Sequence, residues 1–210
     1  MRMKFIVFDF DGTLVDSSAQ IVRAINKVGK KKNLEKLKKK DLEQKSRREL
    51  IAQLGLSLSN APGFFLEVIQ SLKKEMPKVD PYPGTEITLK KLRSLGFRLG
   101  IVSANTVSNI SLFLESRQWN YFEFVESSST KLFGKSVVLK SIMKKYNLQE
   151  NELIYVGDEA RDIVSAHRAG IQAVAALYGF NTKEQLLAED PEFNIDAIQA
   201  LLKLPFVMHT

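Results

Sequence analysis

The chain has 210 residues, 44% hydrophobic and 26% charged, a globular composition with room for one ordinary domain and a small second one. It has no cysteine and only two histidines, His167 and His209, which excludes disulfide scaffolds, thiolate metal sites, cysteine nucleophiles and histidine clusters and leaves carboxylate and hydroxyl chemistry. The net charge of +7 is unevenly placed: between Ile21 and Arg48 twelve Lys and Arg face three Asp and Glu, a local balance of +9 that leaves −2 elsewhere.

From the N-terminus, residues 3–9 carry the continuous apolar run Phe5–Phe8, the pattern of a strand covered on both faces. The run ends against Asp9 with no small-residue cleavage site, so it does not read as a signal peptide. No stretch of 18 residues is apolar and free of charge, and the expectation is a soluble, cytoplasmic protein with no membrane partner.

Residues 17–78 then read as helical, with Ile21, Ala24, Ile25 and Val28 at helical spacing and breaks near Gly29, Gly55 and Pro62-Gly63. The basic block falls here. It lacks the interleaved aromatics that stack on bases and matches no nucleic-acid motif, so Lys30–Lys40 reads as a solvated face and nucleic acid is not expected as a partner. Asp80-Pro81-Tyr82-Pro83-Gly84 is a turn-rich connector.

Beyond it helix and strand alternate: helix Thr85–Leu95, strand Phe97–Val102, helix Thr106–Ser116, strand Tyr121–Glu126, helix Ser136–Tyr146, strand Leu153–Val156, helix Asp162–Ala169 and a last core strand Ile171–Ala175. The tail from Glu184 to Thr210 reads as helix with a mobile end. The alternation predicts an α/β fold, a parallel sheet with right-handed crossovers and helices on both faces, interrupted by a small all-α insertion. The expected division is a core of 1–16 and 81–210 and an insertion of 17–80.

In open α/β sheets ligands collect at the carboxyl ends of the strands, near the point where strand order reverses. Four such ends carry functional polar groups: Asp9-Phe10-Asp11-Gly12-Thr13, Ser103-Ala104-Asn105, the loop holding Lys135, and the segment from Gly157 to Asp162. Two aspartates one residue apart beyond a buried strand repel each other and resist desolvation unless positive charge is near, and no Lys or Arg adjoins them. Mg²⁺ meets that need, because it takes a few carboxylate oxygens and completes its octahedron with water and phosphate. Asp158 supplies a carboxylate from another strand end, and Asp162 lies four residues on, at the same side of the next helical turn. A single Asp in such a place is ordinarily a helix cap or an Asx turn; the ordered set points to chemistry. Donors for a phosphoryl group would be the Ser103 hydroxyl, the backbone around Phe10 to Gly12, and Lys135 at a helix start, with Gly12 permitting close backbone approach.

The stretch Asp9-Phe-Asp-Gly-Thr-Leu-Val-Asp-Ser17 resembles the first signature of the haloacid-dehalogenase-like hydrolases. Ser103 falls at the family's second motif, Lys135 in Gly-Lys-Ser at the third, and Gly-Asp158-x-x-x-Asp162 at the fourth; Tyr82-Pro83-Gly84 resembles the stretch after the helical cap in the subgroup similar to phosphoglycolate phosphatases. The resemblance runs from Met3 to Gly179. It implies a Rossmann-like core, a helical cap, and a Mg²⁺-dependent phosphatase acting on a small phosphorylated metabolite. Carried over residue by residue, it makes Asp9 the nucleophile and Asp11 the general acid and base. It assigns Mg²⁺ to Asp9, the Asp11 carbonyl and Asp158 with Asp162 in support, and phosphate to Gly12, Ser103, Asn105 and Lys135. Asp11 favours phosphoryl transfer, since the dehalogenase branch lacks this acid. The third motif departs from the family's frequent Lys-Pro, so Lys131 is a second candidate for the phosphate-binding lysine. Lys45–Leu54 looks like the cap specificity region, which makes Arg47 and Arg48, with Asp16 nearby, candidates for substrate contacts. A phosphomutase on the same site, and a protein binding nucleic acid or an anionic surface through its lysines, are the alternatives.

Overall fold

The computed structural model describes residues 4–45, 47–57, 59–129 and 134–208. Strand β1 (Phe5–Phe8) is wholly buried, with Ile6 and Phe8 in one apolar layer and Phe5 and Val7 in the other, which is why its sequence shows no polar alternation. Two-residue strands β2 (Val15–Asp16) and β3 (Asp80–Pro81) pair antiparallel where the helical insertion leaves the core and returns. The sheet is completed by β4 (Arg98–Ser103), β5 (Phe122–Ser127), β6 (Leu153–Gly157), β7 (Gln172–Ala176) and β8 (Phe193–Ile195). Its six strands run parallel in the order β5-β4-β1-β6-β7-β8. The chain builds outward from β1 through β4 to β5 and then returns to the other side of β1, so strand order reverses between β1 and β6, where a crevice opens at the carboxyl ends.

Helices cover both faces. α5 (Thr85–Ser94) and α6 (Val107–Ser116) bury Leu89, Leu92, Ile110 and Phe113 against the Ile6 and Phe8 side. α7 (Lys135–Lys145) and α8 (Ala160–Ala169) bury Leu139, Ile142 and Ile163 against the Phe5 and Val7 side. Each is a crossover between parallel strands, and each sends its N-terminus to the edge where the polar groups collect.

The sequence expectation needs correction at its end. Ile171–Ala175 is not the last strand, and the tail is not a helix. The short α9 (Lys183–Leu187) leads into β8 at the sheet edge, then a 3-10 stretch at Ile198–Lys203 and α10 (Pro205–Met208). Phe193 and Ile195 turn inward around an exposed Asn194, too short a run to show a period.

The insertion contains α1 (Ser18–Lys30), α2 (Lys39–Gln44), α3 (Arg47–Gln53) and α4 (Ala61–Leu72). Ala24, Ile25 and Val28 of α1 and Phe64, Val68 and Leu72 of α4 are buried and belong to the apolar layer shared with the core. Pro62, expected near a break, lies in the first turn of α4, where its missing N–H costs no helical bond. Lys30, Lys31, Lys32, Lys36, Lys38, Lys39 and Lys40 are all exposed. No helix among the described residues is long and apolar enough to cross a membrane.

Candidate active site

β1 delivers Asp9 and β6 delivers Asp158 to the two sides of the crevice, both buried. The Asp9 carboxylate accepts from the Phe10 N–H at 2.7 Å through Oδ1 and from Lys135 Nζ at 2.5 Å through Oδ2. Lys135, at the start of α7, also reaches Asp162 Oδ1 at 2.5 Å, so one ammonium lies between two carboxylates. Burial works against that charge, but Asp162 and Asp9 outweigh it and hold the lysine above its ordinary pKa. Asp162 also accepts from the Glu159 N–H at 3.2 Å, capping α8 with one oxygen while the other faces Lys135. Its pKa is raised to about 6, chiefly by burial, against the pull of Lys135.

Asp158 is clamped by neutral donors: Thr13 Oγ1 gives to Oδ1 at 2.6 Å and the Phe180 N–H to Oδ2 at 2.8 Å. Burial, then the charge of Asp9, push its pKa well above the usual carboxylate range. One oxygen from each of Asp9, Asp158 and Asp162 lies within 4.8 Å of the others. Lys135 is the ammonium in contact with these buried carboxylates and Arg161 is the further cation lining the cavity; the all-oxygen donor set of Asp9, Asp158 and Asp162 suits a hard divalent cation.

Gly12 has φ +81°, and a Cβ there would stand 2.0 Å from Asp158 Oδ2. Its N–H is used within the turn, bonding Val15 O at 2.9 Å. Gly12→Ala should therefore strain the backbone and displace Asp158 together, lowering stability by about 2 kcal/mol; a thermal melt beside the parent reads the loss.

Asp11 leans the other way from Asp9, toward the insertion. Ser17 Oγ donates to its Oδ1 at 2.6 Å and Asn105 Nδ2 to its Oδ2 at 2.9 Å. Burial raises its pKa to about 6, with the charge of Asp9 adding and the two hydrogen bonds opposing. That value suits a group that gives and takes a proton near neutrality. Ser103, at the end of β4, accepts the Asn105 N–H at 3.2 Å, leaving its own proton to donate.

The cavity under the insertion is lined on the core side by Asp9, Asp11, Ser103 and Asn105 and on the insertion side by apolar residues such as Ile21, Phe65 and Ile69. The insertion's charged contribution among the described residues is Lys45, whose Nζ also donates to Asp41 at 2.9 Å and Gln53 at 2.7 Å. Arg48 is exposed and not part of this lining, and the side chain of Arg47 lies outside the described residues, as does Lys131. Asp16 accepts from Ser18 at the start of α1 and faces Lys39 at 3.4 Å, with no part in the lining.

The structure thus gathers Asp9, Asp11, Ser103, Asn105, Lys135, Asp158 and Asp162, and leaves Asp16 and Arg48 aside. It adds residues that sequence reading passed over: Thr13, Lys45, and the loop after β7, where Phe180 holds Asp158 and the Tyr178 hydroxyl bonds Thr13 O at 3.0 Å. The strand-end criterion covers that loop as well, because Leu177 to Asn181 follow β7 directly.

The profile of the family described as haloacid dehalogenase-like hydrolase matches residues 6–176. The phosphoglycolate phosphatase of Synechococcus elongatus is 32% identical over 204 residues, covering 96% of both chains. That of Aquifex aeolicus is 30% identical, again over 96% of both. The crystal structure of a predicted phosphatase from Clostridium acetobutylicum superposes with a TM-score of 0.85 at 21% identity, covering 97% of this chain and 98% of that one, a likeness of fold. By the extent of the family match and the two relatives at 30% identity or more, this chain belongs to the haloacid dehalogenase-like hydrolases.

Proposed function

We propose that the protein is a Mg²⁺-dependent phosphatase that hydrolyses a small phosphomonoester through an aspartyl-phosphate on Asp9. The observation that carries this reading is the pairing at the end of β1. Asp9 is buried and held by Lys135, while Asp11, two residues on, is turned into the same cavity with its pKa raised to about 6.

In the first step an Asp9 oxygen attacks phosphorus, and the bond to the ester oxygen breaks as Asp11 gives that oxygen its proton. In the second, Asp11 takes a proton from water, whose oxygen attacks phosphorus and releases Asp9 and orthophosphate. Lys135 and the Ser103 hydroxyl hold phosphoryl oxygens and offset their charge, while Asn105 turns its Nδ2 to Asp11. Asp9, the Asp11 carbonyl and Asp158, with Asp162 in support, would hold Mg²⁺, which when bound draws charge from the transferring group. Residues 17–80 would act as a cap over a core of 1–16 and 81–210, excluding water from the intermediate.

The relatives named phosphoglycolate phosphatases make 2-phosphoglycolate the first metabolite to assay, and a cysteine-free chain acting on phosphorylated metabolites fits the cytoplasm. The test is hydrolysis of an aryl phosphate and of 2-phosphoglycolate, with Mg²⁺ and with a chelator. Orthophosphate release that disappears with chelation is expected; release that persists would refute the metal requirement, and no release from either ester or from a wider panel of phosphorylated metabolites would refute the phosphatase reading.

A further inference from the structure

Asn109 lies in the first turn of α6 and is 2% exposed. Its Nδ2 makes two hydrogen bonds that point in opposite directions: one to Asn105 Oδ1 at 2.9 Å, the other to the backbone carbonyl of Ile69 at 2.8 Å. Ile69 belongs to the last turn of α4, where carbonyls run out of intrahelical donors; the Lys73 N–H bonds Gln70 instead. The Ile69 carbonyl is therefore an orphan of the insertion, satisfied by a core side chain.

Asn105 is fixed by the same contact. Its Oδ1 accepts from both the Thr106 N–H at 2.9 Å and Asn109, which turns its Nδ2 toward Asp11 Oδ2. An unbroken line of hydrogen bonds thus runs from the insertion through Asn109 and Asn105 to Asp11. Both Nδ2 protons of Asn109 are committed, so moving α4 away leaves a buried amide proton without an acceptor and frees the side chain to turn.

We propose that Asn109 is a positioning residue that ties closure of the helical insertion to the orientation of Asn105 and, through it, of Asp11. With the insertion closed, Ile69 holds the Asn109 amide in the one orientation that presents a donor to Asn105, and the acid is aligned only when the cavity is covered. This rests on the role proposed for Asp11, and the test separates the two ideas.

Asn109→Ala removes both donors, and Asn109→Ser keeps one in a smaller side chain and guards against a folding defect. Three quantities are read: kcat and KM for the aryl phosphate, inhibition by orthophosphate, and hydrogen exchange along the chain in the absence of substrate. The expected result for Asn109→Ala is a kcat roughly 10- to 100-fold lower, as for a reacting group slightly misplaced. Orthophosphate inhibition should stay close to that of the parent, and exchange should rise in α4 while β1, β4 and β6 stay protected. Asn109→Ser should fall between the two. Unchanged kcat, or sheet strands that loosen together with α4, would overturn the proposal. The exchange measurement needs no turnover: a chain that hydrolyses no phosphomonoester yet loosens selectively at α4 would sink the phosphatase reading and leave the link from insertion to Asn105 in place.

Discussion

Asp9→Asn is expected to fold as the parent does and to lose turnover by on the order of 10⁴-fold or more, the scale seen when a covalent nucleophile is removed. The substitution keeps the size and shape of a side chain that is buried at 3% exposure. Its one amide oxygen can still accept from either the Phe10 N–H or Lys135, and only the other of these two bonds is lost, because the NH2 group standing there cannot accept. What the amide lacks is the negative charge that attacks phosphorus and helps hold the metal. Single-turnover release of orthophosphate, measured beside circular dichroism, checks both halves. Residual activity within about tenfold of the parent would mean that Asp9 is not the nucleophile.

Lys135→Met should have the largest effect on stability. It keeps an unbranched chain in a buried slot but removes the one cation between Asp9 and Asp162. Breaking a buried ion pair by removing one partner costs about 3–5 kcal/mol, which for a chain of this size lowers Tm by roughly 6–20 °C. The pH dependence has a definite sign. Asp162 is already raised to about 6 in the parent, so in the folded state it prefers its proton more than it does unfolded. A group raised in this way contributes fully below its unfolded pKa, and that contribution is lost as pH rises through the folded value. Without Lys135 the folded value rises further. The Tm deficit of Lys135→Met in the absence of metal should therefore be small near pH 4 and grow through pH 6 toward 8, whereas a deficit that does not change with pH would point to packing.

Much of this architecture was legible because covered strands and crossover helices write regular patterns. β1 is apolar at every position because both faces are covered, and α5 to α8 carry the helical period between strands. β8 was not legible: an edge strand of three residues with an exposed Asn194 at its centre has no period to detect, and its neighbours read as helix. At the site, Asp9, Lys135, Asp158 and Asp162 could be singled out because each stands just past a strand or at a helix start, where chain order reveals proximity. Asn109 and Thr13 could not, since a buried amide or hydroxyl inside an ordinary sequence acquires meaning only from the atoms that face it. Lys45 was masked by its neighbours, two arginines in a dense basic run that drew attention by charge alone.

The pairing of β2 with β3 has a consequence for how such a chain can change over evolutionary time. Val15 is in register with Pro81 and Asp16 with Asp80, so the insertion departs and returns at neighbouring points about 5 Å apart. Some sixty residues hang from the core as a parenthesis hangs in a sentence, and a tight turn could close the same gap without moving β1 or β4. If the insertion serves as the cap proposed for it, lengthening, shortening or exchanging that parenthesis would alter which molecules are admitted while the sheet beneath keeps its place. The freedom has limits: Leu14 and Phe113 share an apolar layer with Ile25 and Val68, so any replacement must bring its own greasy underside, and Asn109 needs an acceptor where the Ile69 carbonyl now stands.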